Sequence, residues 1–117
     1  MTDITIYHNP ACGTSRSVLA LIREAGIEPT IVDYIAHPPS RERLRQAIAD
    51  AGLSVREAIR SREPEYAELG LDDPSLSDEA LLDAMIATPV LINRPFVFTP
   101  RGVCLCRPPE KVLELLG

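Results

Sequence analysis

Residues 4–26 read ITIYHNPACGTSRSVLALIREAG. Over Asp3 to His8 apolar and polar side chains alternate, Ile4 and Ile6 one way and Thr5 and Tyr7 the other, which with the β-branched content predicts a strand. Asn9, Pro10 and Ala11 break that strand. From Cys12 onward Val18, Leu19, Ile22 and Ala25 recur at helical spacing, and Gly26 supplies the C-cap. The stretch is therefore strand, tight loop and helix. Its cysteine stands at the mouth of the helix, where free N–H groups and the positive end of the dipole favour an anion.

Working outward, Thr30 to Tyr34 (TIVDY) is a second short strand, followed by Pro38-Pro39 and a helix that Ser40 caps and Gly52 ends. This completes a βαβα unit with parallel strands. Ser54 caps a further short helix through Arg60, Tyr66 to Leu69 adds a turn or two before Gly70, and Ser77 starts a helix to about Ala87. Asp78 and Glu79 suit the first turn of that helix. The last third changes period: Val90 to Ile92, Phe96 to Thr99 and Val103 to Arg107 are short strand candidates, with Pro100-Arg101-Gly102 as the hairpin turn between the last two. Pro108 and Pro109 open a closing helix, Glu110 to Leu116. The order predicts an α/β fold, a thioredoxin-like mixed sheet flanked by helices, with a helical insert between the N-terminal βαβ unit and the C-terminal hairpin. At 117 residues the chain is expected to form one domain, 1–117.

A net charge of -5 argues against a nucleic-acid or polybasic membrane role, because phosphate surfaces require a cationic field. Any anion site must be local, and 11 of the 12 bases are arginines, whose planar forks match oxyanions. The first residues, MTDITIYHNP, carry no basic segment followed by an apolar one, and no window approaches the roughly 20 apolar residues of a membrane span, so a cytoplasmic protein is expected. Three cysteines, an odd number, suggest reduced thiols rather than a disulfide scaffold. With only His8 and His37 as histidines, a Cys/His metal set is not expected.

A thiol at the position of Cys12 is acidified, because helix N-termini and cationic neighbours bring a cysteine pKa from about 8.5 to roughly 3.5–7.5. Asn9, Pro10, Gly13, Thr14 and Ser15 make a polar turn there, which suits a reactive sulfur better than an inert buried one. In Cys12-Gly13-Thr14-Ser15 the partner position of a C-x-x-C pair holds serine, so no adjacent thiol resolves a mixed disulfide and an external reductant is implied. The hydroxyls of Ser15 and Thr14 are candidates to donate to the thiolate or to cap helix N–H groups. A phosphatase-type C-x5-R cradle is absent: position 18 is Val18, and Arg16 comes too early. Cys104 and Cys106, two apart in a strand with Cα atoms roughly 6.5–7 Å from each other, are not expected to pair and read as core.

Three segments together, ITIYHNPACGTSR at 4–16, LINRP at 91–95 and LCRPPEKVL at 105–113, closely resemble the glutaredoxin-coupled arsenate reductases of the thioredoxin superfamily. PPSR at 38–41, Gly52-Leu53-Ser54-Val55 and ELGL at 68–71 are similar to that family too. The resemblance implies that Cys12 is the nucleophile, that Arg60, Arg94 and Arg107 surround its sulfur as substrate-binding arginines, and that the Arg94–Pro95 peptide is cis. It further implies reduction of arsenate to arsenite, with glutathione as co-substrate, glutaredoxin as partner and no bound cofactor. The family pattern puts His8 near the thiol, either as a positive charge that lowers its pKa or as a hydrogen-bond partner of the loop. Taken singly, Arg60 at a helix end and Arg107 before Pro108 also suit structural roles, and Arg56 and Arg62 read as solvated. Two rival functions use the same scaffold: a glutathione-linked thiol reductase, which has no need of three arginines, and an Spx-like regulator, against which Ser15 argues.

Overall fold

The computed structural model describes residues 3–116. Along the chain run β1 (Thr5–His8), α1 (Gly13–Glu24), β2 (Thr30–Asp33), α2 (Arg41–Asp50), α3 (Val55–Ala58), α4 (Pro64–Glu68), α5 (Asp78–Ala87), β3 (Phe96–Thr99), β4 (Gly102–Leu105) and α6 (Leu113–Leu116), with 3₁₀ turns at Pro89–Leu91 and Pro109–Val112. The contacts separate into two compact units. One runs up to His37 and resumes at Arg94; the other is Pro38–Asn93.

The first unit holds a four-stranded mixed sheet in the order β2-β1-β3-β4, flanked by helices as the sequence predicts. β1 and β2 are parallel, from Thr5 opposite Thr30 to His8 opposite Asp33. β3 runs antiparallel to β1, with Ile6 opposite Val97, and β4 antiparallel to β3. The period-two pattern puts Ile4, Ile6 and Val97 on one face, where they pack with Val18, Leu19 and Ile22 of α1 and with Cys106 and Val112. On the other face Tyr7 stacks on Tyr34 at 6.4 Å between ring centroids and lies tilted against Phe98 at 4.7 Å. Two glycines close the connections: Gly26 leaves α1 at φ 82° and Gly102 opens β4 at φ 146°, both in the region that side chains avoid.

The second unit is the helical insert. Each of its longer helices starts on a serine: Ser40 Oγ accepts from the Arg43 N–H at 3.1 Å and Ser77 Oγ from the Ala80 N–H at 3.2 Å. Ser54 forms a capping box, accepting from the Glu57 N–H at 3.2 Å while the Glu57 carboxylate accepts from the Ser54 N–H at 2.8 Å. Leu44, Ile48, Val55, Leu81, Leu82 and Met85 are buried there, and Arg41 and Arg45 of α2 both reach Glu79 of α5.

Several expectations are corrected. Val90 to Ile92 is not a strand; Pro89–Leu91 forms a 3₁₀ turn and Ile92 alone makes a bridge, to Ile59. Pro89 lacks the N–H a strand ladder needs and pre-sets a helical φ. That bridge also ends α3 at Ala58 rather than Arg60, because Ile59 is extended, with φ -94° and ψ 139°. β4 stops at Leu105, and the closing helix begins as a 3₁₀ turn before α6. Arg56, expected to be solvated, is a half-buried staple that donates to Tyr66 Oη at 3.1 Å, the Leu71 carbonyl at 2.5 Å and the Asp73 carbonyl at 2.9 Å. Arg62 is exposed, as expected.

Candidate active site

The loop between β1 and α1 is shaped by Asn9, which is 8% exposed. Its carbonyl accepts from the Cys12 N–H at 2.9 Å, its Oδ1 accepts from the Ala11 N–H at 3.0 Å, and its own N–H donates to Ser15 Oγ at 3.1 Å. Asparagine before proline favours such a side-chain-closed turn. The turn sets Cys12 as the N-cap of α1, with φ -96° and ψ 121°, and Gly13 as the first helical residue. From outside, Arg16 Nη1 holds the same loop through the Pro10 carbonyl at 2.7 Å.

Cys12 Sγ sits 8% exposed at this helix N-terminus. Burial alone pushes its pKa up. The Ser15 N–H, Arg94 and Arg107 together outweigh that, and bring the thiol from the ordinary 9.0 down to about 7. Ser15 N–H faces the sulfur from the N3 position, outside standard cap-bond geometry yet near enough to favour the thiolate. Arg107 Nη1 lies 3.9 Å from the sulfur and donates in addition to the Arg94 carbonyl at 2.9 Å. Arg94, 5% exposed, adds its hydrogen bond and its charge. Each of the two arginines precedes a proline, and both Arg94–Pro95 and Arg107–Pro108 are cis peptides, the second unforeseen in the sequence.

Two hydroxyls behave differently from expectation. Ser15 Oγ is committed to His8 Nδ1 at 2.7 Å and to the Asn9 N–H, so Ser15 acts on the sulfur through its backbone. The half-buried Thr14 hydroxyl has no hydrogen bond among the described residues. His8, only 8% exposed, is pushed below its ordinary 6.5, by burial first, then by Arg23, with Arg16 adding to the effect against Asp33. It is therefore a neutral imidazole at pH 7. A cationic His8 lowering the thiol pKa is not what this environment favours.

Arg60 belongs to the second unit. There its N–H donates to the Leu91 carbonyl at 2.7 Å and its Nε to Glu63 at 3.2 Å, an ion pair with both side chains 19% exposed. Cys104 and Cys106 are unpaired thiols. Cys106 is fully buried, donates weakly to the Cys104 carbonyl at 3.8 Å and is pushed far up by burial, which makes it a core residue. Sequence reasoning missed Asn9 and Arg16 as supports of the Cys12 loop, and Glu63 as the partner of Arg60 in the second unit; only the Asn-Pro pair carried a local signal. Among the described residues no group of three or more His, Cys, Asp or Glu side chains is placed to hold a metal ion, and no helix is long and apolar enough to cross a membrane.

The arrangement is an acidified sulfur with two guanidinium groups beside it, suited to holding an oxyanion while the sulfur attacks its centre. The model of the ArsC family matches residues 7–115. The arsenate reductase of Rhizobium meliloti (strain 1021) is 65% identical over 113 residues, 97% of this chain and 81% of that protein. That of Escherichia coli (strain K12) is 54% identical over 116 residues, 99% of this chain and 82% of the other. The solved arsenate reductase of Vibrio cholerae superposes with a TM-score of 0.93 at 43% identity, covering 97% of this chain and 98% of its own.

Proposed function

The chain belongs to the ArsC family, and from that membership we propose that it is an arsenate reductase working through a Cys12–arsenic adduct, with glutathione and glutaredoxin as electron donors. The observation that carries the reading is one sulfur at a helix N-terminus, with its pKa near 7, Arg94 and Arg107 beside it, and serine where a resolving cysteine would stand.

Arsenate is a tetrahedral, nearly dianionic oxyanion that repels a thiolate. Arg94 and Arg107 offset that repulsion, hold its oxygens and keep arsenic in line with Cys12 Sγ. Arg60 is proposed as a third oxyanion ligand on the strength of the family resemblance. The Cys12 thiolate forms a bond to arsenic as water leaves. A glutathione thiol then displaces a second oxygen, also as water, and arsenic is held between two sulfurs. A glutaredoxin thiolate attacks the glutathione sulfur, the S–As electron pair returns to arsenic, and As(V) becomes As(III) while the two external sulfurs are oxidised to a mixed disulfide. Water then cleaves the remaining As–S bond, releasing arsenite and the Cys12 thiol. The guanidinium groups act most strongly where charge builds on the departing oxygens.

The test is purified chain with glutathione, glutaredoxin and NADPH-coupled recycling of glutathione disulfide. Arsenate-dependent NADPH oxidation that disappears in Cys12→Ser is the expected result. Equal oxidation without arsenate, or with a disulfide in its place, overturns the reading in favour of a general thiol reductase.

A further inference from the structure

Beside α1 lies a cavity of about 490 Å³, within the size range of small-molecule sites. His8 borders it near the catalytic loop, Leu19 and Ala20 form its floor, and Arg16, Arg23 and Glu24 supply its charges. These α1 residues belong to the helix face that begins at Cys12, since positions 12, 16, 19, 20, 23 and 24 recur every three or four residues.

The charges are partly unspent. Arg16 uses Nη1 on the Pro10 carbonyl and keeps Nε and Nη2, so its cation stands level with the Cys12 loop. Arg23 uses Nε and Nη2 on Glu28, at 3.0 Å each, and keeps Nη1. Glu24 is exposed and carries no ion pair among the described residues. Both guanidinium groups line the same cavity as His8 and help to hold its pKa below the ordinary value.

We propose that this cavity is the docking site of the external thiol: a small peptide thiol with a carboxylate at one end, held by Arg16, and an amino-acid head group at the other, its carboxylate on Arg23 and its ammonium on Glu24. Arg16 and Arg23 spring from α1 seven residues apart, a rise of about 10.5 Å along the helix, so their charges stand at separate ends of one elongated ligand. Arg23 and Glu24 both line the cavity and carry opposite charges, which suits a ligand bearing both a carboxylate and an ammonium. The need for such a molecule follows from the site: position 15 is serine, Cys106 is sealed in the core and Cys104 packs against the same apolar cluster, so the second sulfur comes from outside. The inference rests on the proposed reduction of arsenate and assigns its thiol co-substrate a place.

Two measurements on the full chain separate this inference from the reading beneath it. S-Methylglutathione, which docks without reacting, is titrated into ¹⁵N-labelled protein. Shifts concentrated at Ala20, Arg23, Glu24 and the His8 ring support the site, and shifts absent or centred elsewhere overturn it, whatever the turnover. In the coupled assay, Ala20→Phe fills the cavity from an exposed helical position. It is expected to raise KM for glutathione at least about tenfold while KM for arsenate and kcat at saturating glutathione stay within roughly twofold of the parent. Arg23→Gln should raise the same KM by roughly three- to tenfold, the net cost of one exposed hydrogen bond. An unchanged KM for glutathione in both variants overturns the site even if arsenate is reduced. Binding at α1 without any arsenate turnover keeps the site and overturns the reductase.

Discussion

At the scale of single residues, the controlling quantity is the affinity of Cys12 Sγ for its proton. Its pKa of about 7 predicts that alkylation by iodoacetamide rises with a midpoint near that pH. Arg107→Ala, which removes the donor 3.9 Å from the sulfur, should move the midpoint up toward the ordinary 9.0; an unmoved midpoint refutes the role given to Arg107. Because the folded chain binds this proton less tightly than the unfolded chain, the thiolate's contribution to stability is complete above pH 9 and is lost as pH falls through about 7. His8 leans the other way. Its imidazole should titrate below 6.5 by NMR, and the fold should lose stability as pH drops below 6.5, since the unfolded chain takes up that proton first. His8→Asn is then expected to leave the Cys12 midpoint close to 7, and a rise toward 9 would show a cationic imidazole at work. Cys12 was legible in the sequence because helix-mouth chemistry is local. The state of His8 was not, since it depends on burial and on Arg23, fifteen positions along the chain.

At the scale of elements, the serine caps were the clearest sequence signals, because each asks only what stands three residues later. Ser54→Ala removes the side-chain bond of the α3 capping box, leaves the Ser54 N–H to Glu57 bond in place, and should cost about 0.5–2 kcal/mol, read as a shift of the urea midpoint with unchanged slope. The apolar run at 90–92 was misread because short apolar segments carry no decisive period. Pro89 before it was the residue that decided for a turn. Ile59 shows the complementary case: a four-residue helix gives way to an extended residue because a bridge to Ile92 forms, a non-local pairing invisible in the neighbourhood of Ser54. The strands β1, β3 and β4 were legible to within two residues, since alternation and a glycine turn are both local.

At the scale of the whole molecule, one apolar cluster unites α1, β1, β3 and the segment around Cys106 and Val112. Ile22 is fully buried in it, so Ile22→Ala should cost about 2–5 kcal/mol in chemical denaturation. A loss under about 1 kcal/mol would mean that this cluster does not hold α1 in place. The order of elements was readable from the pattern, but the separation of contacts into two units was not, since it depends on which helices share a core. The three thiols also differ as a set: one is acidic at a helix mouth, one is half-buried, and one is sealed with its proton directed at a carbonyl. At neutral pH a substoichiometric maleimide dye will therefore couple first to Cys12. The wild-type chain thus takes a fluorophore at its working centre, and an oxyanion seated there beforehand slows the coupling, which turns dye uptake into a gauge of occupancy.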